Sequence, residues 1–175
     1  MSKILKLHNS CASQHKVLVE WKVEGDYVHF DFEVSNYKPH QNQDFGKDYK
    51  ENWGLWESDV VEIFLKREDS QDYLEVQTSP LNQPFGLVIE EPRVKWHVPE
   101  VLDLAVSNIT LGSSWKSTLS IGLNFIPGNS KKIIGNCFAC LGNKESREYF
   151  ALNINTEETP DFHRPELFVD MGVIK

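Results

Sequence analysis

The sequence predicts an all-β fold, an antiparallel β-sandwich built from two sheets. Three observations support this prediction. Apolar and polar residues alternate with a period of two in several short segments, turn signals such as Gly-Asp and Gly-Asn separate those segments, and helical patterns do not alternate with them. A chain of 175 residues is also long enough to bury a core without disulfide bonds. We therefore expect residues 1–175 to form a single sandwich domain.

The first predicted hairpin lies near the start of the chain. Apolar residues alternate over Val17–Val23 and again over Val28–Val34, and Gly25-Asp26 between them is a hairpin turn signal. The polar segment Asn36–Asn52 contains proline and glycine, which predicts a long surface loop. Loops of this length inside a compact domain more often carry function than not.

A central hairpin carries the most informative polar residues. Asp59–Leu65 and Tyr73–Thr78 are predicted strands joined by a charged turn. Because side chains alternate between the two faces of a strand, each strand has one apolar face, and Glu62, Glu75 and Gln77 lie on the opposite face. Glu62 stands between two apolar neighbours, so we expect it to be partly desolvated and to need a hydrogen-bonding partner. These three side chains therefore form a candidate site.

Three further strands are predicted in the second half of the chain. Alternation extends over Trp115–Phe125. Ile133–Leu141 and Glu148–Ile154 form a candidate pair that is joined by a turn at Gly142-Asn143. Between the central hairpin and these strands, we expect an irregular or modestly helical connection over Val98–Leu104.

The chain is rich in aromatic residues, with five Trp, five Tyr and ten Phe. Strand alternation divides some of them between the core and a ligand. The rings assigned to the core are Trp21, Phe30, Phe32, Trp115 and Phe125. The rings that stay available to a ligand are Trp53, Trp56, Tyr73 and Phe162.

Composition excludes several classes of function. The chain has 26 acidic and 18 basic residues and a formal charge of −8, whereas binding to nucleic acid depends largely on Lys and Arg. No apolar run approaches the roughly 18 residues that a membrane span requires. The first residues also lack the apolar core of a signal peptide. We therefore expect a cytoplasmic protein that binds neither nucleic acid nor membranes.

The three cysteines do not predict a metal or redox site. Cys137 and Cys140 form a Cys-x-x-Cys pattern inside a predicted strand, where residues i and i+3 point to opposite faces. One metal ion would not reach both sulfurs, and no second such pair completes a tetrahedral site. With Cys11, the odd count is also unlike a secreted disulfide framework. We expect reduced cysteines, no metal and no cofactor.

Two motifs carry a resemblance to a known family. The first comprises Trp56–Leu65 and the following Tyr73–Pro80, with the pattern Trp-Glu-x-Asp-x-Val-Glu-Ile-Phe-Leu displaced by one residue before Asp59, then a strand that ends in Ser-Pro. The second is Pro160–Phe168, which contains Asp-Phe-His-x-Pro. Together they resemble family 9 carbohydrate-binding modules, which belong to the wider DOMON-like superfamily of immunoglobulin-like, two-sheet sandwiches. The resemblance brackets roughly Phe30–Phe168.

The resemblance implies a sugar cleft in which aromatic rings clamp a mono- or oligosaccharide unit. It implies that Trp56 is a stacking ring, that Glu62 accepts hydrogen bonds from hydroxyls, and that Arg93 donates to sugar oxygens. Phe162 or His163 would form the second wall. The complete set of candidate carbohydrate-binding residues is Trp56, Glu62, Glu75, Gln77, Arg93, Phe162 and His163.

The chemistry of these residue types supports the same expectation. A pyranose has an apolar face of C–H groups, which a flat aromatic ring covers, and a rim of hydroxyls. Carboxylate and guanidinium groups satisfy that rim through charge-assisted hydrogen bonds. An acidic protein can bind a neutral sugar without electrostatic conflict.

Structural roles stay open for several of these residues. Trp56 could be a core or rim tryptophan. Glu62 and Arg93 could form a buried ion pair that serves the fold alone. His163, close to Pro165, could simply bond a backbone carbonyl.

Two other functions are also open. Glu62 and Glu75 could lie about 5 Å apart, a separation typical of retaining glycosidases, which would suit a glycoside-processing enzyme. However, no hydrolase or phosphate-loop motif is present, so we assign no catalytic residues and expect no catalytic activity. The third possibility is a protein-interaction module whose cleft has lost its ligand. The oligomeric state is not predicted.

Overall fold

The computed structural model describes residues 3–7, 13–40, 45–154 and 160–174. The strands are β1 Lys3–Ile4, β2 Lys6–Leu7, β3 Lys16–Glu24, β4 Tyr27–Ser35, β5 Val60–Arg67, β6 Tyr73–Thr78, β7 Pro84–Glu91, β8 Lys95–His97, β9 Leu104–Leu111, β10 Ser114–Gly122, β11 Lys132–Leu141, β12 Glu148–Ala151 and β13 Val169–Val173. Single turns of 3₁₀ helix cover Leu55–Glu57, Leu123–Phe125 and Pro165–Leu167. Cys11 lies outside the described residues.

The strands that the structure describes form two antiparallel sheets, which confirms the all-β sandwich. The first sheet has the order β1-β3-β4-β10-β9. The second has the order β2-β12-β11-β5-β6-β7-β8, and β13 pairs with β11 beside β12. Consecutive strands form hairpins at β3–β4, β5–β6, β6–β7 and β9–β10. At the first of these, Gly25 adopts a φ of 59°, a conformation that favours glycine over residues with a Cβ.

The main core lies between the two sheets. It takes Val19 and Phe30 from the first sheet and Ile63 and Val76 from the second, all of them fully buried. Trp115, which also belongs to this core, donates its ring N–H to Asn108 Oδ1 at 2.9 Å, so its one polar group is satisfied. The inward-facing residues are those that strand alternation predicted.

A second apolar cluster covers the opposite face of the second sheet. Its members include Val60 and Phe64 of β5, Tyr73 of β6 and Phe138 of β11. Strands β5 and β6 are therefore buried on both faces, in contrast to the outer strands. This outer face carries the candidate site.

Cys137 and Cys140 belong to different clusters on opposite faces of β11. This confirms the geometric reason for which no single ion would be held by both sulfurs. Burial raises the pKa of each thiol, so both are protonated at neutral pH. Both cysteines are free.

Several local predictions were wrong. Strands β7 and β9 were not predicted, and the strand predicted over Trp115–Phe125 stops at Gly122. Trp21 and Phe125 are only partly buried and pack against the main core from its edge. No helix among the described residues is long and apolar enough to span a membrane.

We expect Gly135→Ala to destabilise the fold. Gly135 lies in β11 opposite Leu65, and a Cβ at this position would stand 2.2 Å from the carbonyl oxygen of Phe64, a backbone atom that cannot move aside alone. The free energy of unfolding, measured by urea denaturation, should fall by roughly 3 kcal/mol.

The control is Gly46→Ala, where the nearest atom to an added Cβ is a flexible carboxylate oxygen at 3.2 Å. This variant should change the free energy of unfolding by less than about 1 kcal/mol. Equal effects from the two substitutions would contradict the packing argument.

Candidate functional site

A cavity of about 640 Å³ opens on the outer face of the second sheet. Its floor is formed by the outward side chains of β5 and β6, and its walls come from the segments that surround that face. All of the residues predicted from sequence to bind carbohydrate line this one cavity: Trp56, Glu62, Glu75, Gln77, Arg93, Phe162 and His163.

Three polar side chains form the floor, and all are almost completely buried. Glu62, Glu75 and Gln77 are 3%, 4% and 1% exposed. The strand register places Gln77 directly opposite Glu62, while Glu75 is opposite Phe64. Gln77 donates an Nε2 hydrogen bond of 2.6 Å to Glu75 Oε1. Its own Oε1 has no hydrogen-bond partner among the described residues.

Burial shifts both carboxyl groups toward their protonated forms. It raises the pKa of Glu62 to about 7, while the positive charge of Arg147 acts in the opposite direction. It raises the pKa of Glu75 to about 8, and the neighbouring charge of Glu62 adds to this shift. The thiol of Cys140 lies 3.7 Å from Glu62 Oε1 as a weak donor.

Arg147 is an important residue of the cavity that the sequence did not reveal. Its guanidinium donates to the backbone carbonyl of Gly142 at 2.7 Å and to those of Trp56 and Ser58 at 2.6 Å each. It thereby ties the turn before β12 to the turn before β5. Its charge lies within electrostatic reach of Glu62, so it partly compensates the buried carboxylate.

Asp59, the first acidic residue of the strand motif, fixes the turn that carries Arg147. Its Oδ1 accepts a 2.7 Å hydrogen bond from the backbone N–H of Gly142, and its Oδ2 accepts one of 2.7 Å from the hydroxyl of Tyr37. The buried Asp59 carboxylate therefore links the loop after β4 to the turn after β11.

One wall of the cavity is a cluster of tryptophans. Trp53 packs edge-on against the half-buried Trp56, with ring centroids 5.0 Å apart. It lies nearly parallel to Trp96 of β8, at 6.4 Å and 23°. Trp53 and Trp96 are 53% and 43% exposed, so they offer more free ring surface than Trp56. Trp96 was not identified from the sequence because β8 was not predicted.

The opposite wall comes from the segment before β13. Phe162 stacks on Phe138 with centroids 4.1 Å apart and an interplanar angle of 17°. The ring of His163 lies against Phe64 at 5.2 Å. This segment is the second sequence motif, and its aromatic residues are thus held against the sheet.

Tyr73 is not available to a ligand, in contrast to the prediction. It is fully buried, because it packs between Phe64 and Phe168. Its hydroxyl is paired with His163 Nδ1 at 2.7 Å. The ring of His163 therefore bonds a side chain and not the backbone carbonyl considered above, and burial lowers its pKa.

The buried ion pair between Glu62 and Arg93 is not present. Arg93 lies at the rim, where its side chain is 55% exposed, and it pairs with Asp161. The cation near Glu62 is Arg147 instead. Arg93 and Asp161 connect the turn between β7 and β8 to the Phe162 segment, so this pair joins two walls of the cavity.

The carboxyl pair does not have the environment expected of a glycosidase. Such enzymes need one carboxyl group that is ionised and a second that is protonated, with environments that separate their pKa values. Here burial raises the pKa of both. The register also makes Glu62 and Glu75 diagonal rather than direct neighbours. Within the described residues, no group of three His, Cys, Asp or Glu side chains is arranged to hold a metal ion.

No protein-family model matches the chain. The chain is 32% identical over 129 residues to the UPF0462 protein C4orf33 homolog of Mus musculus, a match that covers 70% of this chain and 64% of the relative. It is 30% identical to the UPF0462 protein C4orf33 of Homo sapiens, again over 129 residues, with 70% and 61% covered. The chain thus spans less than two thirds of the length of these curated relatives.

Solved structures match nearly the whole chain. A candidate carbohydrate-binding protein of Bacteroides uniformis matches with a TM-score of 0.74 and 15% identity, covering 96% of this chain and 84% of its own. A family 9 carbohydrate-binding module of Caldicellulosiruptor kristjanssonii in complex with cellotriose has a TM-score of 0.67 and 14% identity, with 97% and 80% covered. The chain has the fold of a family 9 carbohydrate-binding module. The same organism's module in complex with glucose also matches this family 9 fold, at a TM-score of 0.62 and 14% identity, with 95% and 82% covered.

The buried carboxyl groups predict that stability falls as the pH rises from about 5 to about 8.5. Because the pKa values of Glu62 and Glu75 are higher in the folded than in the unfolded chain, the folded state holds more protons in this range. Their contribution is fully present below the unfolded pKa and is lost as the pH passes the folded values. Urea denaturation should show a loss on the order of 2 kcal/mol.

Glu75→Gln keeps the shape of the side chain and cannot ionise, so it should flatten this dependence. The matched control is Glu100→Gln, an exposed carboxylate outside the cavity, which should leave the slope unchanged. A wild-type free energy of unfolding that increases over the same range would contradict the assignment.

Proposed function

We propose that this protein binds a mono- or oligosaccharide unit in the cavity on the outer face of the second sheet. The observation that carries the proposal is the combination within one cavity of exposed tryptophan rings and buried hydrogen-bonding groups. Trp53 and Trp96 provide the rings, and Glu62, Glu75 and Gln77 provide the polar floor.

The division between wall and floor suits the surface of a sugar. A pyranose presents apolar C–H groups on its face and hydroxyls on its rim, so the tryptophans are placed for the face and the floor for the rim. Carboxylate oxygens accept strong hydrogen bonds from hydroxyl groups when water is excluded. A cavity of about 640 Å³ falls in the range typical of small-ligand sites, roughly 300–1,000 Å³.

The family 9 fold supports the same proposal. Two of the matching structures are modules in complex with cellotriose and with glucose. Their sequence identity to this chain is low, so the choice of sugar here rests on the cavity's own residues. We assign the stacking role mainly to Trp53 and Trp96, with the half-buried Trp56 behind them, and we assign Arg93 a rim contact to sugar oxygens.

Binding without catalysis is the better account of the carboxyl pair. The pKa values of Glu62 and Glu75 are both raised, so neither carboxyl has the environment of an ionised nucleophile. The proposal also includes the cytoplasmic location and the single domain predicted from sequence. The free and buried Cys137 and Cys140 are compatible with a reducing compartment.

Calorimetric titration with a panel of mono- and oligosaccharides, including glucose and cellotriose, tests the proposal. At least one sugar should bind, and Trp53→Ala and Trp96→Ala should each weaken that binding. The loss of one stacking ring is worth about 1 kcal/mol or more, which corresponds to roughly a five- to tenfold higher Kd. Both rings are well exposed, so we expect both variants to fold.

The control for these substitutions is Leu111→Ala. Leu111 is 80% exposed and lies in β9 of the other sheet, so its loss should not change the Kd. The absence of heat with every sugar of the panel, or an equal Kd in wild type and both tryptophan variants, would rule out the proposed site.

A further inference from the structure

The floor of the cavity has an excess of hydrogen-bond acceptors. Ionised Glu62 and Glu75 each provide two carboxylate oxygens and no donor, and the amide oxygen of Gln77 has no partner among the described residues. The amide N–H₂ of Gln77 already donates to Glu75. Gln77 is 99% buried and lines the cavity, so its unpaired oxygen marks a place for a donor that belongs to a ligand.

The floor also has more negative than positive charge. Two carboxyl groups lie close enough for the charge of Glu62 to act on Glu75, and Arg147 is the cation that acts on Glu62. The described hydrogen bonds of Arg147 go to three backbone carbonyls and not to either carboxylate. When both carboxyl groups are ionised, the floor therefore has one negative charge more than Arg147 balances.

We propose that the cavity selects an amino sugar, a sugar unit with a protonated primary amine, and that the ammonium group lies against Glu62, Glu75 and Gln77. This inference rests on the proposed function and specifies its ligand class. An ammonium group has three donors, no acceptor and one positive charge, which matches the three acceptor side chains and the unbalanced charge of the floor.

A neutral sugar matches the floor less well. Each hydroxyl offers one donor and no charge, so a hydroxyl leaves the carboxyl groups without a counterion. An N-acetylated amine has one N–H and no charge, and its added methyl group would stand against carboxylates. The exposed faces of Trp53 and Trp96 also favour a cation through their negative ring faces.

The other charged groups around the cavity do not reverse this preference. Arg93 at the rim is paired with Asp161, and Lys144 and Glu57 are exposed to solvent, where their charges are screened. The remaining titratable groups of the lining are Cys140, Tyr149 and His163. Burial raises the pKa of Cys140 and of Tyr149 and lowers that of His163, so all three are neutral near pH 7.

Proton release gives the proposal a second signature. Without a cationic ligand, burial keeps the pKa of both floor carboxyls near or above neutrality. An ammonium group bound beside them stabilises the ionised forms, so binding should expel protons into the solvent. A neutral sugar has no such effect, or a much smaller one.

The test is calorimetric titration at pH 7 with glucosamine, 6-amino-6-deoxyglucose, glucose and N-acetylglucosamine. At least one amino sugar should bind about tenfold or more tightly than glucose and N-acetylglucosamine. Titrations in two buffers with different heats of ionisation should show proton release for that amino sugar alone.

Glu75→Gln tests the assignment to the floor, because it removes the charge and keeps the shape. The ratio of the Kd of glucose to that of the amino sugar should fall toward one in this variant, whatever its effect on each sugar separately. In the control Glu100→Gln, an exposed carboxylate outside the cavity, the ratio should stay at its wild-type value.

The possible failures are distinguishable. Binding of glucose as tightly as the amino sugars would overturn the amino-sugar inference and leave the proposed function in place. Tight binding of an amino sugar whose preference survives Glu75→Gln would place the amine elsewhere and overturn the assignment to the floor. The absence of binding by every sugar tested would overturn both.

Discussion

Strands β5 and β6 pack against apolar side chains on both of their faces, so any polar residue within them is removed from water. Glu62, Glu75 and Gln77 stand at such positions, and each is at least 96% buried. Burying carboxyl groups in this way costs free energy unless they are protonated or paired. The raised pKa values, the nearby guanidinium of Arg147 and the hydrogen bond from Gln77 to Glu75 are responses to this constraint.

The walls above this floor are held by contacts between segments far apart in sequence. Arg147 joins the turn before β12 to the turn that carries Trp56, and Asp59 holds the same region to the loop after β4. On the opposite side, Arg93 pairs with Asp161 and the hydroxyl of Tyr73 bonds His163. The charged and polar groups of the lining thus serve first to position the cavity, and their free surfaces face the space between them.

Much of the fold follows from local pattern because a half-buried strand needs side chains of alternating polarity. The hairpins β3–β4 and β5–β6 and strand β11 show this alternation and were predicted. Strand β7 was not, because Pro84 and Gly86 at its start are typical of turns and its other residues are buried without alternation. Strand β9 is an edge strand whose side chains are mostly exposed, so burial did not shape its sequence.

The sequence by itself determined the sandwich, the two faces of the central hairpin and the residues that line the cavity from β5 and β6, since alternation along a strand is a local property. It also indicated the Phe162 segment through its motif. Only the tertiary structure decided which partners these residues meet: Arg93 pairs with Asp161, Arg147 compensates Glu62, and Tyr73 is buried beneath His163. Such pairings depend on strand order and loop path, which bring together residues up to 90 positions apart and leave no periodic signal in the chain.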